Sequence, residues 1–225
     1  MIQLRGNETI AVMATKKSAK KSAPKQSVSV KDRIIDAALE EVAAVGWRDL
    51  SMDNVTSRAE LTLGEVLLEV PSKTYLLLGF IDRIDARTLG PVTRLNPEDT
   101  PRDRLFEILM RRFDALNDTR DAAKAVVTGV ARDPAAFIAG VCRIERSSAA
   151  ILSAAGISTS GLLGMARIQG LKAIAAYSLR AWMQDDSADL SKTMAALDKA
   201  LARAEKLAGF TGFRRRAEPE AKAES

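Results

Sequence analysis

An all-α fold, a small N-terminal three-helix unit followed by a larger helical body, is what this sequence predicts. Three observations carry the prediction. From Val30 onward the apolar residues return every three or four positions, as in Ile34, Ile35, Ala38, Leu39, Val42 and Val45, the period of a helix that buries one stripe. No stretch alternates apolar and polar residues at the period of a strand, and no segment repeats at a fixed spacing. The 225 residues, 47% hydrophobic and 28% charged, suit one or two globular domains with a real core.

Each element has its own punctuation. The first helix opens at Val30, and Gly46 closes it as a C-cap residue. Ser51 caps a short helix, 52–59, and Thr62 caps another, 63–70, which Pro71 terminates. A longer helix covers 72–88, with Gly90-Pro91 behind it, and residues 90–100 read as a loop. Thr100, Pro101 and Asp103 open the next helix with Pro at its first position; Leu105, Phe106, Leu109, Met110, Phe113 and Leu116 form its core face. Residues 119–131 form a short Ala/Val-rich helix. Asp133-Pro134 starts a helix to about Ala155, stopped by Gly156. Residues 159–184 make a long apolar helix holding Gly161, Gly164 and Gly170. Asp186 is expected to cap the last helix, 187–208, where Leu190, Met194, Leu197, Leu201 and Ala204 step by four, three, four and three. That is a narrow seam suited to pairing with another helix. The chain thus divides into a basic tail (1–29), a three-helix unit (30–76), a larger helical domain (77–208) and a polar tail (209–225).

Composition removes most catalytic chemistry. There is no His and one Cys, so Ser-His-Asp and Cys-His systems, HExxH zinc sites and an imidazole base are all excluded. Cys142 excludes an intramolecular disulfide; mid-helix beside Val141, it is expected to be buried and inert. The carboxylate neighbours Asp82 and Asp85, Asp185 and Asp186, and Glu40 and Glu41 are not expected to converge on one site. No phosphate-binding Gly loop or metal-ligand cluster is present. A binding protein, with no cofactor and no metal, is expected rather than an enzyme. No charge-free apolar window of about 18 residues appears and the N-terminus does not read as a secretory signal, so the cytoplasm is the expected location.

The net charge is +5, and all of it sits at the N-terminus. Residues 1–30 hold six basic side chains, Lys16, Lys17, Lys20, Lys21 and Lys25 among them, against Glu8, which leaves the remainder neutral. The Lys/Ser/Ala/Pro run cannot bury enough surface to fold. It fits phosphate, on DNA or on an anionic membrane surface, or it is a solvated tail without a partner. Met13, followed by Ala-Thr-Lys-Lys, reads as a natural start, which would make residues 1–12 an upstream extension.

Residues 31–76 resemble the N-terminal domain of the TetR family of regulators. The resemblance rests on Arg33-Ile34-Ile35, Ala37-Ala38, Gly46, Leu50-Ser51-Met52, Val55, Ala59, Thr62, Gly64 and Pro71-Ser72-Lys73, and on the spacing of two short helices ahead of a long one. It implies a helix-turn-helix with 63–70 as recognition helix, and a C-terminal domain for ligand binding and dimerisation. The positions it places against DNA are Lys31, Arg33, Ser51, Thr62, Leu63, Glu65, Leu67 and Lys73.

The chemistry of those residues argues the other way. A groove-reading helix needs donors for base edges and phosphates, yet residues 62–70 read TLGEVLLEV, without Arg, Lys, Asn or Gln. Residues 31–76 hold five basic and nine acidic side chains, a net of −4. Glu65 has two readings, an acceptor from cytosine or part of a solvated helix face. Ser51 and Lys73 stand at helix N-termini, where backbone phosphates bind.

In the C-terminal half, Phe80, Ile84, Phe106, Met110, Phe113, Phe137, Ile144, Leu163, Ile168 and Leu171 are either the lining of an apolar pocket or ordinary core. The three glycines of 159–184, each costing up to about 1 kcal/mol in a helix, point to close helix approach or room for a ligand. Residues 171–208 resemble the C-terminal helix pair of the lipid-binding accessory proteins of ubiquinone biosynthesis, in an aromatic in the first helix, an Asp-rich turn at 184–189 and a regular final seam. Those proteins share the TetR-like fold without regulating DNA. The run Phe210, Phe213 and Arg214 to Arg216 is too short for a surface helix of its own. In the regulator reading, Leu179, Trp182, Leu190, Met194, Leu197 and Leu201 form a four-helix interface with a second copy. The leading expectation is a homodimeric transcriptional regulator that senses a hydrophobic small molecule, its signal carried through helix 72–88. The alternatives are a lipid or isoprenoid carrier that does not bind DNA, and a protein adaptor on the same fold.

Overall fold

The computed structural model describes residues 29–90 and 98–210, with side chains as far as Leu207. Among the described residues the structure is all-helical: α1 (Val30–Asp49), α2 (Met52–Ala59), α3 (Leu63–Glu69), α4 (Lys73–Leu89), α5 (Pro101–Asn117), α6 (Arg120–Val130), α7 (Pro134–Ala154), α8 (Gly161–Met183) and α9 (Ser191–Phe210). The basic tail, residues 91–97 of the expected loop, and Phe213 with the arginines after it lie outside the described residues.

Most boundaries follow from local chemistry. Ser29, Ser51, Thr62, Thr100 and Asp133 each accept a backbone N–H of the following first turn. That satisfies donors which the helix cannot pair itself. Gly46 breaks α1 in a left-handed conformation (φ 82°, ψ 167°). A single further turn follows and seats Trp47 in the core. Glu41, buried in α1, accepts from Asn54 Nδ2 and Arg58 Nε, both at 2.6 Å, and fixes α2 against α1.

The start of α9 corrects the sequence reading. Asp186 is exposed and caps nothing, and the helix begins at Ser191 rather than 187. The organising residue is Asp185, which is fully buried. Its carboxylate accepts from Thr193 N and Oγ1, both at 2.7 Å, from Ser187 N at 3.1 Å, and from Ser187 Oγ. Closing the turn holds Leu190, a buried leucine, at φ 54°. Burial pushes the Asp185 carboxyl upward, but the hydrogen bonds from Ser187 and Thr193 outweigh it and hold the group far below the ordinary carboxylate range. The folded carboxyl is therefore the stronger acid. Its stabilisation is complete above the unfolded value of about 3.9 and is lost as pH falls through that value toward the folded one. Asp185→Asn is expected to cost about 2 kcal/mol at neutral pH. In urea titrations it should also flatten the loss of stability that the parent shows between about pH 4 and pH 2.

The core forms two apolar clusters. The first joins α1, α2, α3 and α4 to Phe113, Val126, Ala136, Trp182 and Leu190, so packing runs through residue 76 without a break. The second gathers Leu105, Ile108 and Leu109 of α5, Ile151 and Leu152 of α7, Leu171 of α8, and Leu197 and Leu201 of α9. Beside them lies a charged network. Asp85 of α4, 8% exposed, accepts from Arg112 Nη1 of α5 and Ser147 Oγ of α7. Arg143 of α7 donates to Asp82 and lies 3.9 Å from Asp85. Asp82 and Asp85 thus share a partner, contrary to the sequence reading, because residues three apart lie on one face of a helix.

Two smaller expectations are also corrected. Cys142 is exposed, since the buried side of α7 carries Ala136, Gly140, Ser147, Ser148 and Ile151. Gly164 packs against the backbone of Thr159, while Gly161 and Gly170 face open space. None of the three glycines makes room for a ligand between helices.

Candidate nucleic-acid interface

The helix-turn-helix is α2, the turn at Glu60–Leu61, and α3. Among the residues of α3 only Val66 is buried, with Val70 just beyond the helix. Its start is locked by a capping box: Thr62 Oγ1 accepts from Glu65 N at 3.3 Å, and Glu65 Oε2 accepts from Thr62 N at 2.8 Å and Thr62 Oγ1 at 2.7 Å. The Thr62 backbone and hydroxyl donors hold the Glu65 carboxyl below its usual range. This carboxylate is engaged within its own helix, and the capping role displaces the reading of Glu65 as a cytosine acceptor.

The other proposed DNA contacts are engaged in similar ways. Arg33 donates to Ala59 O at 2.6 Å and so closes the end of α2. Lys31 lies 3.9 Å from Asp82. Ser51 caps α2. Lys73 is folded back, its Nζ donating to Arg48 O at 3.1 Å and lying 4.9 Å above the Trp47 ring; burial lowers its pKa. Leu63 and Leu67 are 43% and 41% exposed, and Leu68 is 85% exposed. The outward face of α3 therefore carries three leucines, with Gly64, Glu65 and Glu69 beside them. The N-terminus of α4 has no side-chain cap at Ser72, which leaves its first amides open to an anion.

The sequence reading missed the joint between the helix-turn-helix and the body. Trp47 donates from Nε1 to Asp133 Oδ2 at 3.2 Å, and its Cβ packs directly on Gly129 of α6. The Ala136 amide, followed by the Trp47 ring N–H, holds the Asp133 carboxyl low. A Trp one residue after a helix-breaking Gly was the available signal. A cavity of about 10 Å³ lies beside it, lined by Val42, Trp47, Leu76, Leu77, Phe80 and Val126 among others. That is room for about one water.

The pocket candidates separate in the structure. Phe80, Ile84, Phe113 and Leu171 are buried, and Phe106, Met110 and Ile168 pack partly against the core. Phe137, Ile144 and Leu163 stand on the surface and do not join the others around one cavity. The dimer candidates also turn inward. Trp182, Leu190, Leu197 and Leu201 are buried within this single chain, Leu179 is partly so, and Met194 is exposed. The seam of α9 is spent on α8 and α5 of the same chain. The unpaired side of α8 is instead the stripe Leu162, Ala166, Gly170, Ala173 and Tyr177, all exposed.

This architecture, a helix-turn-helix of α2 and α3 packed on α1 and joined through α4 to a helical body, is the fold of the TetR transcriptional regulators. A TetR regulator from Nitrosomonas europaea ATCC 19718 matches with a TM-score of 0.66 at 22% identity, over 79% of this chain and 99% of that one. A TetR regulator from Rhodococcus sp. RHA1 matches with a TM-score of 0.53 at 19% identity, over 77% and 94%. A TetR variant from Acinetobacter baumannii AYE in complex with minocycline matches with a TM-score of 0.52 at 20% identity, over 77% and 95%. No protein-family model and no curated protein matches the chain. Among the described residues no group of His, Cys, Asp and Glu is placed to hold a metal ion, and no single helix is long and apolar enough to cross a membrane.

Proposed function

We propose that this chain is a homodimeric accessory protein of TetR build whose C-terminal helices take an apolar small molecule or lipid and whose helix-turn-helix does not select a DNA sequence. The observation that carries this is the outer face of α3, where leucines stand in place of hydrogen-bond donors and Glu65 is consumed by its own cap. An unpaired carboxylate or a leucine facing phosphate removes the electrostatic term on which DNA affinity rests. The resemblance of 171–208 to lipid-binding accessory proteins supports the ligand class. Dimerisation runs through the exposed stripe of α8, whose small residues allow close helix approach.

A second reading, ligand-released operator binding, has its own support: the fold is shared with regulators, and the uncapped start of α4 offers amides to phosphate. A salt-dependent DNA titration with fragments of the source genome separates the two. The expected result is no selected fragment, with only weak binding that vanishes as salt rises and when residues 1–28 are removed. A fragment selected and held at physiological salt would retire the first reading and establish the second. Sedimentation of the same samples as a dimer tests the assembly.

A further inference from the structure

We infer that the outer face of α3 is a docking surface for an amphipathic helix of another protein, apolar along one stripe and bearing Lys or Arg on both flanks. This rests on the reading that α3 does not select DNA, and it goes further by giving the occupant's chemistry.

Three features define the fit. Leu63, Leu67 and Leu68 present apolar side chains to solvent on adjacent turns. Leu68, 85% exposed, is the largest of these exposures and leaves most of an apolar side chain in water, which burial against a partner would remove at about 25 cal/mol per Å². Gly64 sits between them with nothing within 4 Å of the position its Cβ would take, so the ridge has a gap into which one side chain of a facing helix fits. Carboxylates stand at both ends: Glu60 in the turn before α3 and Glu69 in its last turn, both exposed. Neither has an ion-pair partner among the described residues, and α3 has no basic residue in its last turn.

Charge complementarity then chooses the occupant. A nucleic acid would bring phosphate against both carboxylates. An acidic or uncharged apolar helix would bury Leu68 but leave Glu60 and Glu69 uncompensated at the rim. A helix with basic flanks buries the leucines and places a cation at each end of the ridge. At 1.5 Å per residue, the seven residues of α3 set those cations about 10 Å or more apart along the partner, roughly two turns. Flanking basic residues would set the on-rate and the choice of partner, and the leucines would set the residence time.

The test uses the full chain and two fluorescein-labelled synthetic peptides of about 14 residues, with leucines at helical spacing. One is flanked by lysines and the other by glutamates. Fluorescence anisotropy is expected to show the lysine-flanked peptide binding at least about tenfold more tightly. Leu67→Asp with Leu68→Asp should weaken that binding by about tenfold or more, whereas Leu207→Asp, at an exposed position of α9, should leave it unchanged. Glu60→Lys with Glu69→Lys should reverse the preference, so that the glutamate-flanked peptide binds better. All positions changed are exposed, and unaltered far-UV circular dichroism shows that each variant is folded. Equal binding of both peptides, insensitivity to the α3 leucines, or loss through Leu207→Asp would overturn the inference. Tighter peptide binding after removal of residues 1–28 would also overturn it, by making the chain's own lysine segment the occupant. Capture by phosphatidylcholine vesicles that depends on Leu68 would do so too, by making the occupant a lipid surface. If no DNA fragment is selected and no peptide preference is seen, only this inference fails. A selected fragment would sink the underlying reading as well.

Discussion

Asp85→Ala is expected to lower the stability of this protein by about 3–5 kcal/mol, a fall of roughly 6–20 °C in melting temperature for a chain of this size. Asp85 is the acceptor at the meeting of three helices. It takes Arg112 Nη1 from α5 and Ser147 Oγ from α7, with Arg143 close by. Without it, the Arg112 guanidinium, with a side-chain exposure of 16%, stays in a half-dry site with no compensating charge. Two further variants separate charge from packing. Asp85→Asn keeps the acceptor for Ser147 and loses only the charge, so its cost should be smaller. Asp85→Leu with Arg112→Met replaces the pair by apolar groups of similar reach and should recover most of the lost stability. Urea unfolding of the four proteins measures all three differences. If Asp85→Ala costs no more than a surface substitution, within about 0.5 kcal/mol, the network does not hold these helices together.

Gly129→Ala is expected to destabilise by about 1–3 kcal/mol, even though alanine is the better helix former. A Cβ at this position would overlap Trp47 Cβ, and Trp47 Cγ would lie only 3.0 Å from it. Neither atom is the far end of a flexible chain, so α1 and α6 must move apart. That movement pulls on the Trp47–Asp133 hydrogen bond and on Lys73 above the indole. Gly64→Ala is the control: it meets nothing within 4 Å and should leave stability unchanged or raise it by up to about 1 kcal/mol. Tryptophan fluorescence during urea unfolding reads the effect at the joint itself. Equal responses of the two glycines would show that the contact between α1 and α6 is slack.

The division between what was legible in the sequence and what was not follows the range of the interactions. Ser51, Thr62 with Glu65, Thr100-Pro101 and Asp133-Pro134 act within three residues of themselves, so their roles can be read from spacing alone. The start of α9 could not be read that way. Asp185 reaches eight residues forward to Thr193 and does so from inside the core. Apolar periodicity shows that Leu190, Leu197 and Leu201 face something; it does not show whether that is the same chain or a copy, and the structure gives them to the same chain. The pocket set failed as a set for the same reason. Phe80 and Phe137 look alike in a helical pattern, yet one is buried and the other is half in water. The absence of donors in 62–70 was visible at once. That Arg33 and Lys73 were committed to carbonyls about 25 residues away lay beyond the reach of local spacing.

The slight anchoring of α3 has a consequence for how such a chain changes over generations. One buried valine, its neighbour Val70 and a capping box hold the helix in place. The leucines that face outward carry almost none of the folding free energy. Mutations there are close to neutral for stability, so a lineage can exchange arginines and glutamines for leucines and glutamates one at a time without passing through an unfolded intermediate. A scaffold of this kind separates inheritance of shape from inheritance of specificity, and a change of partner leaves no scar in the core.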